Sequence, residues 1–201
     1  MNLTRNQFDL LTCMEKKGTL TQRELAKQTN KALGTVNKGI AELSQMGYVQ
    51  DGAITQKGIN ALEPYRVKRA IFIAAGFGTR LVPITLNTPK PLVRVNGTRI
   101  IDTLLDAVIA AGIEEIYIVR GYLAEQFDQL LYKYPMIKFI ENPVYNEANN
   151  ISSVMYAREL LENAYVLEAD LLLYHPHVIA KYQYASNYLG VPTEETDDRC
   201  V

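Results

Sequence analysis

The sequence predicts an α/β chain in two parts: a short helical part that closes with a hairpin, and a longer part built on a parallel sheet. Two observations predict it. Through residues 1–66 the apolar residues recur mostly at helical spacing, and Asp51-Gly52 separates two short extended pieces. From Ala70 onward, short runs rich in Ile, Val and Phe alternate with helical stretches, which is the order expected of a sheet covered by helices on both faces. With 201 residues, 48% of them hydrophobic, and a net charge of -1, the chain has an ordinary globular composition and is long enough for two small cores.

In the first part, Leu3, Phe8, Leu11 and Met14 fall on one helical face over residues 3–17, and Gly18 ends the run. Thr21 followed three residues later by Glu24 has the form of a capping box, which opens a helix over Gln22 to Gln28. A third helix runs from about Leu33 to Met46, with Val36, Ile40 and Leu43 on one face and Gly47 closing it. Tyr48 to Gln50 and Ala53 to Thr55 then form a hairpin about Asp51-Gly52. Glu63 to Arg66 ends the last helix and leaves a linker with little slack, so domains are expected at 1–66 and 67–201.

In the second part, Ala70 to Ala74 reads as a buried strand, followed by Gly76-Phe77-Gly78-Thr79-Arg80 and a proline-punctuated loop carrying Lys90. Leu92 to Val95 is extended, and Asn96-Gly97 is expected to turn it into a helix from about Ile101 to Ala111. Strands at Ile116 to Val119, Lys138 to Ile140 and Tyr165 to Leu167 alternate with helices at Leu123 to Tyr132 and Val154 to Leu161. Ligands on such a sheet gather at the carboxyl ends of its strands, and the glycine loop lies at one of them. Glycines directly after a strand let the backbone turn sharply and bring bare N–H groups against an anion. Arg80 and Lys90 add fixed positive charge for phosphate oxygens.

A Gly-x-Gly alone is common in plain turns, but the longer pattern is specific. Ala74-Ala75-Gly76-Phe77-Gly78-Thr79-Arg80-Leu81, followed by Thr88-Pro89-Lys90-Pro91-Leu92, resembles the signature of nucleotidyltransferases that join a nucleoside triphosphate to a phosphorylated small molecule. The resemblance implies a Rossmann-like (GT-A type) α/β sandwich in which Ala75, Gly76, Gly78, Thr79 and Arg80 hold the triphosphate, and Lys90 neutralises charge at the phosphate under attack. Arg120-Gly121-Tyr122 and the stretch Glu141 to Ser153 look like the bacterial phosphocholine cytidylyltransferases. That likeness implies CTP and phosphocholine as substrates, Gly121 and Tyr122 beside the nucleobase, and Asn149 and Asn150 at the acceptor. Both asparagines are equally suited to cap the following helix.

Asp170 stands where this family places a magnesium-binding aspartate. Bringing two polyanions together requires a hard cation to offset their repulsion, so Mg²⁺ is the implied cofactor. Relatives often carry Asp-Asn at this point, whereas this chain has Asp170-Leu171. His175 and His177 flank Pro176 with no Cys or third His near, and are expected to be surface residues rather than a metal site. Tyr182, Tyr184 and Tyr188 could form an aromatic cage for a quaternary ammonium, but their spacing fits core positions better.

The first part has the element order of a winged helix-turn-helix and resembles MarR-like winged helices through Leu20 to Ala26 and Gly34 to Lys38. The resemblance implies that Thr35, Asn37 and Lys38 on the third helix are DNA-contact candidates, with the hairpin beside the backbone. Residues 1–66 hold nine Lys or Arg against six Asp or Glu, a modest basic excess, and Asp51 at the wing tip suits phosphate poorly. Ligand sensing, dimerisation or packing on the enzyme is the alternative for this module.

No apolar run approaches a membrane span and no signal peptide opens the chain, which predicts a cytoplasmic protein; Cys13 and Cys200 are expected as reduced thiols. The transferase fold it resembles continues well past Val201, so the second part reads as its front portion, with Asp197 or Asp198 as substitutes for a missing second carboxylate. The expected activity is CTP plus phosphocholine to CDP-choline and pyrophosphate. Two alternatives stand beside it: transfer to a sugar 1-phosphate, and a transcriptional regulator whose transferase-like half only senses nucleotide or choline phosphate.

Overall fold

The computed structural model describes residues 2–148, 150–188 and 190. Helix α1 spans Arg5–Lys17 and α2 spans Gln22–Thr29. Both begin with a reciprocal capping box, Thr4 with Gln7 and Thr21 with Glu24, so two orphan N–H donors are satisfied at each start. Gly18 and Asn30 end them at positive φ, 77° and 52°. Helix α3 spans Leu33–Gln45, and strands β1 (Val49–Gln50) and β2 (Ala53–Ile54) pair antiparallel. Asp51 and Gly52 both have positive φ, as a two-residue hairpin turn of this hand requires. Helix α4, Gln56–Leu62, is capped by Thr55. Leu10, Leu11, Leu25, Val36, Leu43 and Leu62 are fully or almost fully buried in the core of this half.

The other half is a four-stranded parallel sheet of β3 (Arg69–Ile73), β6 (Glu115–Arg120), β7 (Ile137–Glu141) and β8 (Ala164–Glu168), in the order β7-β6-β3-β8. A separate two-stranded hairpin, β4 (Arg94–Val95) and β5 (Thr98–Arg99), precedes helix α5, Ile100–Ala110. Alternation along β3 assigns its faces: Ala70 and Phe72 join the α5 side, while Ile71 and Ile73 pack with Val119 and Ala157 near helix α6, Asn150–Tyr156. Helices therefore cover both faces. The chain runs outward from β3 to β6 and β7, then crosses back to place β8 on the opposite side of β3. The order reverses at β3, which opens a crevice between the carboxyl ends of β3 and β8.

Three expected elements differ in form. Residues 124–132, expected as an α-helix, form a 3₁₀ helix: its start at Leu123 is left-handed, and its buried residues Phe127 and Leu130 are three apart, which suits three residues per turn. Asn96-Gly97 turns β4 into β5 before the helix begins, with both residues at positive φ. Helix α6 begins at Asn150 rather than Val154 and gives way to a 3₁₀ turn at Arg158–Leu160. Its first turn is held by a polar contact, Asn142 Nδ2 donating to Ser153 Oγ at 3.0 Å, which leaves no apolar periodicity to read.

The stretch after β8 returns to the N-terminal core. Tyr182 is 6% exposed among Phe8, Met14 and Leu62, and Tyr184 packs against the same cluster. The Tyr184 ring stacks on Tyr65 at 5.7 Å and meets Phe8 at 5.4 Å, and its hydroxyl donates to the Leu3 carbonyl. Lys181 Nζ pairs with Glu15 at 2.6 Å. These tyrosines do meet cations, but the cations are Arg66, Lys181 and Arg5 of the chain itself, while Tyr188 is 93% exposed.

Candidate active site

Strand β3 leads into buried Ala74 and Ala75, and the loop they open is fixed to the end of β6. The Ala74 amide donates to Val119 O at 2.9 Å, and the Tyr122 amide donates to Ala75 O at 3.1 Å. Gly78 adopts φ 63°, where a side chain would be strained, and a Cβ there would stand a tight 3.1 Å from both Lys90 Cβ and Thr85 Cγ2. Its bareness lets the Lys90 stem lie against the loop. Thr79–Leu81 forms a 3₁₀ turn, placing Arg80 on the exposed side of the same loop.

The proline-rich loop is tied down from two directions. Buried Thr85 donates its hydroxyl to Gly78 O at 2.9 Å, and the Tyr122 hydroxyl donates to Thr85 O at 2.9 Å. Gln126 Nε2 adds a bond to Asn87 O at 2.7 Å. Lys90 is thereby delivered to the crevice between β3 and β8, where its Nζ meets Asp170 Oδ2 at 2.5 Å. Eighty residues of sequence separate the two partners.

Glu168, at the end of β8, stands in register beside Ile73 and accepts from Asn150 Nδ2 at 3.3 Å. Burial, and then the like charge of Asp170, push its carboxyl above the usual glutamate range. Among the described residues no group of three or more His, Cys, Asp or Glu could hold a metal ion. Asp170 and Glu168 are nonetheless a suitable donor set for Mg²⁺, which is commonly held by one or two carboxylates together with substrate phosphates.

The structure thus brings Gly76, Gly78, Thr79, Lys90 and Asp170 to one crevice, with Ala75 and Tyr122 bonded at its edge and Asn150 reaching Glu168. Asn149, Asp197 and Asp198 lie outside the described residues. His175 and His177 are exposed, with ring centroids 5.6 Å apart. Sequence reasoning missed Thr85, whose role as a tie between two loops leaves no local pattern, and Glu168, which only the sheet register brings beside Ile73. On the N-terminal half, Thr35, Asn37 and Lys38 are all exposed on α3, opposite the buried Val36 and Gly39. No helix among the described residues is long and apolar enough to cross a membrane.

The family model for nucleotidyl transferases matches residues 69–188, and one for winged helix-turn-helix DNA-binding domains matches residues 3–50. A 2-aminoethylphosphonate cytidylyltransferase of Lancefieldella rimae is 44% identical over 136 residues, covering 67% of this chain and 54% of that protein. A choline-phosphate cytidylyltransferase of Streptococcus pneumoniae is 44% identical over 106 residues, covering 53% and 46%. The solved CTP:phosphocholine cytidylyltransferase of Streptococcus pneumoniae superimposes with a TM-score of 0.53 at 45% identity, over 55% of this chain and 48% of that one. This chain spans about half the length of the curated relatives it matches.

Proposed function

This chain belongs to the nucleotidyl transferase family through residues 69–188, and from that premise we propose that it transfers a cytidylyl group from CTP to a small amine bearing a phosphate or phosphonate. Phosphocholine and 2-aminoethylphosphonate are the acceptors named for its relatives. Both join an anionic phosphorus group to a positively charged nitrogen, a quaternary ammonium in one and a protonated amine in the other. One observation carries the proposal: Lys90 and Asp170, brought together at 2.5 Å in the crevice beside the glycine loop.

An acceptor oxygen attacks the α-phosphorus of CTP, a new P–O bond forms, the bond to the β-phosphate breaks, and pyrophosphate leaves. The exposed amides of the loop at Gly76 to Thr79 would bind phosphate oxygens, with Arg80 at the turn adding charge. Lys90 exchanges its partner Asp170 for a phosphate oxygen and stabilises charge there. Asp170, with Glu168, would hold Mg²⁺, which when bound offsets the repulsion between the two polyanions. No protein nucleophile is required. Incubation of the protein with Mg²⁺, CTP and each acceptor, including a sugar 1-phosphate as the competing class, is expected to release pyrophosphate with the amine acceptors. Absence of release with every acceptor defeats the proposal.

A second activity belongs to the N-terminal half, and the exposure of Thr35, Asn37 and Lys38 on α3 favours it. The helix would enter the major groove with the β1–β2 hairpin beside the backbone. Gel-shift on the DNA upstream of its own coding sequence is expected to show a complex that weakens steeply as salt rises. If no complex forms at low salt, this half serves packing or sensing instead, and regulation by DNA contact is ruled out.

A further inference from the structure

Between Gly76 and Gly78 the loop carries a single side chain, that of Phe77. Nothing lies within 4 Å of where a Cβ of Gly76 would stand, Gly78 is left-handed, and Phe77 between them is 40% exposed. A loop flanked by two glycines samples many conformations unless something restrains it. Phe77 supplies an aromatic restraint beside the Thr85 bond to Gly78 O. Its ring centroid lies 5.0 Å from that of Tyr122, tilted 51°, and 5.4 Å from that of Tyr145, tilted 54°. Both distances fall in the range favoured by aromatic pairs.

Each partner ring is itself anchored. Tyr122 is held through its hydroxyl to Thr85 O and through its amide to Ala75 O. The Tyr145 ring lies over Gly121, where a Cβ would come within 2.6 Å of it. Gly121 is therefore bare so that Tyr145 can approach, and Tyr145 is one wall of the notch that receives Phe77. The loops after β3, β6 and β7 meet in this three-ring knot.

We propose that Phe77 is a positioning residue for the nucleotide's phosphate tail: wedged between Tyr122 and Tyr145, it holds the amides of residues 76–79 in their binding arrangement before the nucleotide arrives. The inference rests on the proposed CTP reading, since it concerns the same loop. A ligand whose competent loop conformation is only partly populated binds more weakly by that fraction. Phe77→Ala is expected to weaken CTP binding and raise its KM by about tenfold while kcat changes by less than about twofold. Phe77→Tyr, which keeps the ring, is expected to restore both.

The test combines calorimetric titration of CTP, steady-state kinetics, and amide hydrogen exchange at residues 76–79 of the ligand-free protein. Exchange there should quicken in Phe77→Ala and return to the parent rate in Phe77→Tyr. That readout needs no substrate, so it separates the two claims. If the parent neither binds CTP nor releases pyrophosphate, the transferase proposal falls and this one with it. If the parent binds CTP but Phe77→Ala binds equally well, exchanges equally slowly, or is not rescued by Phe77→Tyr, only the role of Phe77 is overturned.

Discussion

Lys90 and Asp170 show how differently one contact weighs in stability and in chemistry. Their side chains are 33% and 34% exposed, so water screens the pair and its contribution to folding is small, about 0 to 1 kcal/mol. Removing the lysine also leaves Asp170 beside Glu168 without a counter-charge, a modest further cost. In the proposed reaction the same lysine would stabilise charge that develops only in the transition state, where losing one fixed donor typically costs about 100- to 1000-fold in rate. Lys90→Ala is therefore expected to lower the unfolding temperature by only a few degrees while pyrophosphate release falls at least about 100-fold. Thermal unfolding and kinetics measured on the same preparation check this. Small, parallel losses in both would mean that the lysine holds the fold together and does no more. Neither partner's environment could be read locally, because Gly78 and Thr85 set the lysine's position through a left-handed backbone and a buried hydroxyl bond.

At the scale of elements, what the sequence disclosed was what its neighbours in sequence determine. The Thr21–Glu24 capping box, the Asp51-Gly52 hairpin and the strand at Ala70 to Ala74 depend on contacts within a few residues, and each formed where its pattern stood. The departures arise where distant contacts override local preference. Residues 124–132 tighten into a 3₁₀ helix while Gln126 is drawn to Asn87 and Arg120 Nη1 donates to Ala124 O. Helix α6 starts early because Asn142 holds its serines, a contact across ten or eleven positions that no periodic pattern encodes. The candidate site divides in the same way. Gly76, Gly78, Arg80, Lys90 and Asp170 could be singled out because they stand at positions that a family resemblance marks. Phe77, Tyr145 and Glu168 were not, since ring contacts and register across the sheet exist only once β3, β6, β7 and β8 are side by side.

Across the whole molecule, residues 180–184 join the four-stranded sheet to the winged helix. The Ala180 amide donates to the Tyr165 hydroxyl at 3.0 Å, so the strap begins on β8, the strand that ends at Glu168. The Gln183 amide donates to Tyr65 O at 2.8 Å and the Val67 amide to Lys181 O at 2.9 Å, so it continues along the turn between the two cores. Tyr182 then enters the core beneath α1. Cutting a buried aromatic back to alanine typically costs about 3 to 5 kcal/mol, and Tyr182 is buried to 6% exposure in the N-terminal core while its own strap is bonded to β8 and to Val67. The parent is expected to unfold in a single calorimetric transition. In Tyr182→Ala the winged helix should melt first as a separate, lower transition, with amide protection lost along α1 and retained along β3. Because most of that loss falls on the N-terminal core, any DNA complex should weaken while turnover at the crevice persists at temperatures below the first transition. A variant that still unfolds in one step, with α1 and β3 losing protection together, would show that the halves stay coupled without Tyr182 and that the coupling runs through other contacts.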